Sequence, residues 1–197
     1  HCISSAASDV YKRQALMTSV IDKPTKVAEY IQVCRQMNIP ILPPDINKGE
    51  YGFSVSGGSI LYALSAIKSV GRPVIEAIVA ERKEHGEYLS VKNFIERNME
   101  AVNKRAIENF IKAGALDCLE GNRHQKMVVF GQIVDDISRN KKQSMAGQLS
   151  LFDIASEDEK KEFEIRMPNL EEYDKETVLS YEKAVSYTHL RAHETVL

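Results

Sequence analysis

The chain has 197 residues, of which 43% are hydrophobic and 27% charged, so it can form one or two small globular domains with a hydrophobic core. Its formal net charge of −2 excludes a uniformly basic nucleic-acid-binding protein. No apolar run approaches the roughly 20 residues of a membrane-spanning helix, and residues 1–14 lack the apolar segment of a signal peptide. The three cysteines form no CxxC pair and no Cys/His metal spacing, which favours a reducing, cytoplasmic setting without structural zinc.

The charge is distributed unevenly along the chain. Residues 153–185 carry 11 acidic and 5 basic side chains, whereas residues 15–152 have a net charge of about +3. A mildly basic part therefore precedes an acidic one.

The two ends differ in character from the rest. Residues 1–14 and 186–197 show no hydrophobic periodicity and no capping pattern, and both resemble the translated adaptor tails of assembled sequence fragments. We expect both to be non-native tails outside the fold; two disordered termini are the alternative.

Residues 22–62 predict a helix, an extended segment and a β-hairpin. The helix, over residues 22–38, has an apolar face that includes Cys34, which we expect in the core. Three prolines in residues 39–47 require an extended path. Residues 51–62 alternate around a Ser-Gly-Gly turn, which is typical of a two-stranded hairpin.

Residues 66–73, Ala-Ile-Lys-Ser-Val-Gly-Arg-Pro, predict a turn between a short helix over 63–68 and an amphipathic helix over 74–82. Pro73 suits the first helical position, and Gly71 permits a close backbone approach. The free N–H groups at such a helix start can bind an anion, for which a nucleic-acid phosphate is the obvious candidate. An ordinary helix–helix turn is the alternative.

A second, degenerate copy of this pattern follows about 43 residues later. Ser90 and Asn103 are candidate caps of two helices, and residues 112–117, Lys-Ala-Gly-Ala-Leu-Asp, predict a turn before a long helix that ends near residue 141. The fold class is therefore mainly α. A tandem helix-hairpin-helix domain is preceded by an extended Pro-rich segment and a small β-hairpin, and is followed by a flexible linker.

The pentapeptide Gln148-Leu149-Ser150-Leu151-Phe152 lies between a polar linker, residues 141–147, and an acidic stretch. A solvated linker gains nothing from two leucines and a phenylalanine, so a docking peptide explains it better. A linker that packs back on its own domain is the alternative.

These motifs resemble the alpha (catalytic) subunit of bacterial DNA polymerase III. The pentapeptide is similar to the one by which bacterial proteins bind the sliding clamp. Further similar stretches, in the same order and at similar spacing, are residues 37–47, 66–71, 103–105 and 113–117. The resemblance covers residues 15–184. This chain departs from the usual Gly-apolar-Gly hairpin at Ser69, where left-handed backbone geometry is less comfortable for a side chain.

The resemblance implies six segments. They are a non-native tail (1–14), distal fingers with the β-hairpin (15–62), the tandem helix-hairpin-helix domain (63–140), a linker with the clamp-binding peptide (141–165), the start of the next, OB-side region (166–185) and a second non-native tail (186–197). The implied partners are duplex DNA, the sliding clamp and other replisome subunits, with no membrane.

The implied contacts fall into two sets. Duplex DNA is contacted by Lys68, Ser69, Val70, Gly71, Arg72, Lys104, Arg105, Lys112, Ala113, Gly114 and Ala115. The clamp is contacted by Gln148, Leu149, Ser150, Leu151 and Phe152. No catalytic or metal-binding residue is expected here, because the palm carboxylates that hold Mg²⁺ in the parent DNA-directed DNA polymerase lie upstream, so the fragment alone is expected to be inactive.

Two other classes of protein fit the residues alone. A helix-hairpin-helix repair enzyme would need a catalytic Asp or Lys soon after the first hairpin, and Glu76, Glu81 and Lys83 fall on a surface-like helix face instead. The other class is a non-catalytic DNA or clamp adaptor.

Overall fold

The structure, a computed structural model, describes residues 2–145 and 166–186, and α-helices dominate this part of the chain. The helices are α1 (Cys2–Ser19), α2 (Pro24–Gln36), α3 (Arg72–His85), α4 (Val91–Asn98), α5 (Lys104–Ala113), α6 (Arg123–Met145) and α7 (Lys175–Ser186). Three short strands, β1 (Ile41–Leu42), β2 (Ser54–Ser56) and β3 (Ser59–Leu61), form one sheet. The mainly α fold with a small β-hairpin is confirmed. No helix in the described ranges is long and apolar enough to cross a membrane.

The sheet joins the predicted hairpin to the proline-rich segment. Strands β2 and β3 pair antiparallel across Gly57 and Gly58, whose φ angles are 56° and 79°. Strand β1, from the extended segment, pairs parallel with β3. The helix predicted over residues 22–38 is observed as α2, and Cys34 is buried as expected.

Helix α1 differs from the sequence expectation. Residues 1–14 were expected outside the fold, yet Val10 is buried in the core that α1 and α2 form with the sheet. The side chain of Gln14 donates a hydrogen bond to the Phe53 carbonyl at 2.6 Å, and Met17 is fully buried. Val10, Gln14 and Met17 are spaced i, i+4 and i+7 and therefore share one helical face. The face continues across the expected boundary at residue 14, so residues on either side of it pack together.

The prediction of a short helix over residues 63–68 is wrong. Only a single 3₁₀ turn, Leu64–Ala66, forms there. The backbone N–H groups of Leu64 and Ser65 donate to the carbonyls of Glu50 and Tyr51 in the loop before the hairpin. Those of Ala66 and Ile67 donate within the segment, but the Lys68 N–H donates to Val185, so the turn does not continue as a helix. The first hairpin therefore has a full helix, α3, on one side only.

A larger core holds the helices that follow. Phe94 on α4 makes edge-to-face contacts with Tyr88 and with Phe110 on α5, at centroid distances of 5.1 and 6.0 Å. The predicted caps are confirmed, because Ser90 accepts from the Asn93 N–H at 3.0 Å and Asn103 accepts from the Ala106 N–H at 2.8 Å.

The C-terminal described segment packs on this core. Helix α7 lies against α5, and its Val185 is buried in the same cluster as Phe94. The linker expected from residue 141 does not begin there, since α6 continues to Met145. Residues 141–145 contain mostly good helix formers, which allows this extension. The pentapeptide 148–152 lies outside the described residues.

Candidate nucleic-acid interface

The first hairpin contains a strained residue. Ser69 has φ = 61°, in the left-handed region, as the departure from glycine predicted. Lys68, just before it, is held at both of its backbone peptide groups. Its N–H donates to the Val185 carbonyl and its carbonyl accepts from the Asn109 side chain, both at 2.7 Å. Hydrogen bonds with α5 and α7 thus fix the turn.

Gly71 caps helix α3 with ordinary extended geometry, φ = −75° and ψ = 157°. A Cβ built at this position would meet nothing closer than Pro73 Cδ, at 3.7 Å. Neither the backbone geometry nor the internal packing therefore requires a glycine. An added side chain would therefore change only what can approach this backbone from outside.

Unsatisfied donors lie at the start of α3. Within residues 2–145 and 166–186 the backbone N–H groups of Ser69, Gly71 and Arg72 have no hydrogen-bond partner, and no side chain caps the helix. These residues are exposed, whereas the Val70 side chain is buried and anchors the turn in the core. A helix start with free donors attracts anions through the amide hydrogens and the helix dipole.

The cations near this turn are largely paired. Arg72 Nε lies 2.8 Å from Glu76 Oε1, and the Arg72 guanidinium carbon lies 4.8 Å from the centre of the Tyr51 ring. The pair with Glu76 and the contact with Tyr51 raise the pKa of Arg72, so it stays charged. Lys68, which is partly exposed, precedes the turn directly.

The remaining predicted cations lie on α5. Lys104 pairs with Asp135 at 2.6 Å, and Lys112 pairs with Glu108. The Lys112 ammonium also lies 5.3 Å from the centre of the Tyr181 ring on α7. Arg105 is exposed. Two of the three α5 cations thus have an acidic partner within the molecule.

The second hairpin is closed, in contrast to the first. Ala113, Gly114 and Ala115 are all buried. The Gly114 N–H donates to the Ile111 carbonyl at 3.0 Å, and the Ala115 N–H donates to the Phe110 carbonyl at 2.9 Å, as in an ordinary helix end. Their expected contact with DNA therefore has neither exposed surface nor free donors in this fold.

The helix start after this second turn already holds an anion. The Glu172 carboxylate accepts from the backbone N–H groups of Arg123 and His124 at 3.0 and 3.2 Å. Burial raises the pKa of Glu172, but the backbone donors of Arg123, Tyr173 and His124 outweigh it and hold the pKa below its usual value of 4.5. A carboxylate of the chain itself thus occupies the position equivalent to the open one at Gly71.

Two buried cations near the second hairpin, Arg123 and Lys126, were missed from the sequence. The Arg123 side chain is 2% exposed; it donates to the Asp117 carboxylate and the Lys112 carbonyl and lies 3.0 Å from the fully buried Glu182. Lys126 is fully buried and donates to the carbonyls of Leu116 and Leu119. Burial lowers the pKa of Lys126. Nothing in the local pattern connects Arg123 to Glu182, which lies 59 residues along the chain.

Within the ranges that the structure describes, no group of three or more His, Cys, Asp or Glu side chains is arranged to hold a metal ion. The residues predicted to contact the clamp lie outside the described part of the chain; they are Gln148, Leu149, Ser150, Leu151 and Phe152.

The part of the chain that contains both hairpins matches known proteins. Residues 38–126 match a family model described as a helix-hairpin-helix motif. The DNA polymerase III subunit alpha of Chlamydia pneumoniae is 35% identical over 181 residues, which are 91% of this chain and 15% of that protein. The subunit of Thermus aquaticus is 36% identical over 172 residues, or 85% of this chain and 13% of that protein. The subunit of Vibrio cholerae is 34% identical over 181 residues, or 91% of this chain and 16% of that protein.

Proposed function

From the confirmed similarity of this chain to a segment of bacterial DNA polymerase III alpha subunits, we propose that it is a duplex-DNA-binding part of such a subunit. The chain spans about 15% of the length of its relatives, so the polymerase activity belongs to the parent protein in this proposal. The fragment itself is inactive, because the two-metal carboxylates of nucleotidyl transfer lie elsewhere in the subunit. A cytoplasmic location and contact with other replisome subunits are part of the same proposal.

The observation that carries the proposal is the open helix start at the first hairpin. A phosphate oxygen would accept from the free N–H groups of Gly71 and Arg72, with the α3 dipole favouring its charge. Arg72 would turn from Glu76 to the phosphate. Such contacts recognise the backbone and not the base sequence, as a replicative polymerase requires.

The nearby cations contribute charge around this contact. In the proposal Lys68 and Arg72 act at the first hairpin, and Lys104, Arg105 and Lys112 act along α5. Ala113, Gly114 and Ala115 are not part of the proposed surface, because they are buried and their donors are occupied.

The decisive variant is Gly71→Ala. The fold has room for the added methyl, but the methyl would stand where the phosphate approaches, so duplex affinity should fall about tenfold, or about 1.4 kcal/mol. Fluorescence anisotropy with a labelled duplex of arbitrary sequence measures the affinity, and circular dichroism checks the fold.

Gly131→Ala is the matched control for this variant. Gly131 lies within α6, a Cβ there would meet nothing within 4 Å, and alanine favours the helix by about 1 kcal/mol. Its duplex affinity should equal that of the unaltered chain. If Gly71→Ala also binds duplex as tightly as the unaltered chain, the first hairpin is only a structural turn.

We further propose that Gln148–Phe152 tether the polymerase to the sliding clamp. The support comes from the sequence: two leucines and a phenylalanine lie between a polar linker and an acidic stretch. A second attachment to the same duplex raises the local concentration of each partner, so two modest affinities combine into long residence and processive replication.

The variant Leu151→Ala/Phe152→Ala tests this tether. Loss of both anchors should abolish binding to the clamp in surface plasmon resonance and leave duplex binding unchanged. Leu89→Ala, at a residue that is 80% exposed in the loop between α3 and α4, serves as the control. Undiminished clamp affinity of the double variant would remove the tether from the proposal.

A further inference from the structure

We propose that the second hairpin, residues 113–123, is a scaffold that sets the position of the first, and that Asn109 is the positioning residue between them. The inference rests on the proposed duplex contact at Gly71 and changes the role of the second hairpin within it. The tandem motif then has one open phosphate site and one closed support.

The closed state of the second hairpin is the first argument. The Gly114 and Ala115 amides donate to carbonyls at the end of α5, and the Arg123 and His124 amides at the start of α6 donate to the Glu172 carboxylate. Three residues of its turn, Ala113, Gly114 and Ala115, are buried. A phosphate could reach this helix start only by displacing Glu172.

The second argument is the pair of hydrogen bonds on the Lys68 backbone, one at its N–H and one at its carbonyl. Asn109, which is 9% exposed, belongs to α5, the helix that leads into the second hairpin. Val185 belongs to α7, which is fixed to the start of α6 by the buried pair of Glu182 with Arg123. Both elements that hold the first hairpin are therefore anchored at the second.

The strain at Ser69 explains why such support is needed. A residue with a side chain at φ = 61° persists only where its surroundings determine the conformation. The two hydrogen bonds fix the peptide groups on either side of Lys68, the second of which leads directly into Ser69. They therefore also fix the direction of the Gly71 and Arg72 donors two and three residues later. Loss of one bond would let the turn relax and misalign those donors.

A double-mutant cycle on the full 197-residue chain tests this coupling. Asn109→Leu keeps the size of the side chain and removes its donor, and should weaken duplex binding about threefold to tenfold. In the Asn109→Leu background, Gly71→Ala should lower duplex affinity by less than about a further twofold. The second loss is small because both changes act on the same contact. Independent, additive losses would overturn the positioning role, as would unchanged affinity of Asn109→Leu. If Gly71→Ala alone binds normally, the proposed function fails instead.

Glu172→Ala provides a second test that does not depend on how Asn109→Leu folds. This variant frees the backbone donors at the start of α6 from the Glu172 carboxylate. If the second hairpin binds phosphate, duplex affinity should rise by more than the loss of one negative charge explains. Glu171→Ala removes the same charge from the neighbouring exposed position. The scaffold role predicts that Glu172→Ala binds the same labelled duplex no more tightly than Glu171→Ala. A clearly higher duplex affinity of Glu172→Ala than of Glu171→Ala would show a second phosphate site and overturn the inference.

Discussion

At the residue scale, the first hairpin places its strain and its glycine at different positions. Ser69 carries the left-handed backbone, whereas Gly71 has ordinary extended geometry and room for a methyl group. Strain and close approach are thus separate properties of the turn. A separate substitution therefore tests each property.

Ser69→Gly should stabilise the chain by about 0.5–1 kcal/mol. Glycine removes the steric cost of a positive φ, and this gain exceeds its greater freedom in the unfolded state. Urea denaturation followed by circular dichroism measures the difference. Ser65→Gly, in the neighbouring 3₁₀ turn, is the control and should be destabilising, so a loss of stability at both positions would contradict the assignment of strain to Ser69.

The residues of the first hairpin could be chosen from the sequence because their signals are local. A helix start, a glycine and flanking cations all fall within residues 68–73. The closure of the second hairpin could not be predicted, because it depends on Glu172 and Glu182, which are distant in the chain. Buried ion pairs such as Arg123 with Glu182 leave no periodic pattern to detect.

At the element scale, helix ends decide which predictions succeed. The caps Ser90 and Asn103 act within three residues, so a sequence pattern reveals them. The segment 63–68 failed as a helix because the Lys68 N–H, which an α-helix would bond to the Leu64 carbonyl, donates to the Val185 carbonyl instead, a contact that no local propensity encodes. The start of α6 combines both kinds of signal. Asn122 and Gln125 form a reciprocal capping box at 2.8 Å, and Glu172 adds a distant carboxylate.

Glu172→Gln should lower the free energy of unfolding by about 0.5–1 kcal/mol at neutral pH, because a charged cap at a helix start becomes neutral. The pKa of Glu172 is lower in the folded chain than its usual 4.5, so its contribution is full above that pH and is lost as the pH falls through the folded-state pKa. The difference between variant and unaltered chain should therefore shrink in acid. Urea titrations at about pH 7 and about pH 3.5 measure it, with Glu171→Gln as the control. A difference that stays constant with pH would contradict the charged cap.

At the scale of the whole molecule, the proposed DNA surface carries much less free charge than its lysines and arginines imply. Three of its cations, Arg72, Lys104 and Lys112, have an acidic partner in the fold. A near-neutral chain can thus bind duplex through oriented amide donors with a modest electrostatic contribution.

Glu76→Gln should therefore raise duplex affinity and steepen its salt dependence, because Arg72 is released to the phosphates. The logarithm of affinity falls against the logarithm of salt concentration by about 0.9 per phosphate neutralised, so one freed cation should add about one to the slope. Titrations between low and physiological salt measure it. Glu29→Gln frees Lys26 on the distant α2 and is the matched control. Equal slopes for the two variants would mean that Arg72 does not face the duplex.

The packing of α7 has one more consequence, which concerns fragment complementation. The segment 166–186 is attached to the rest by the buried pair of Glu182 with Arg123, by the Val185–Lys68 hydrogen bond and by Glu172 at the start of α6. A single proteolytic cut between residues 146 and 165 would then sever the backbone without parting the two pieces. The chain would persist as a nicked, two-piece assembly, and a separately supplied peptide of residues 166–186 could reconstitute it.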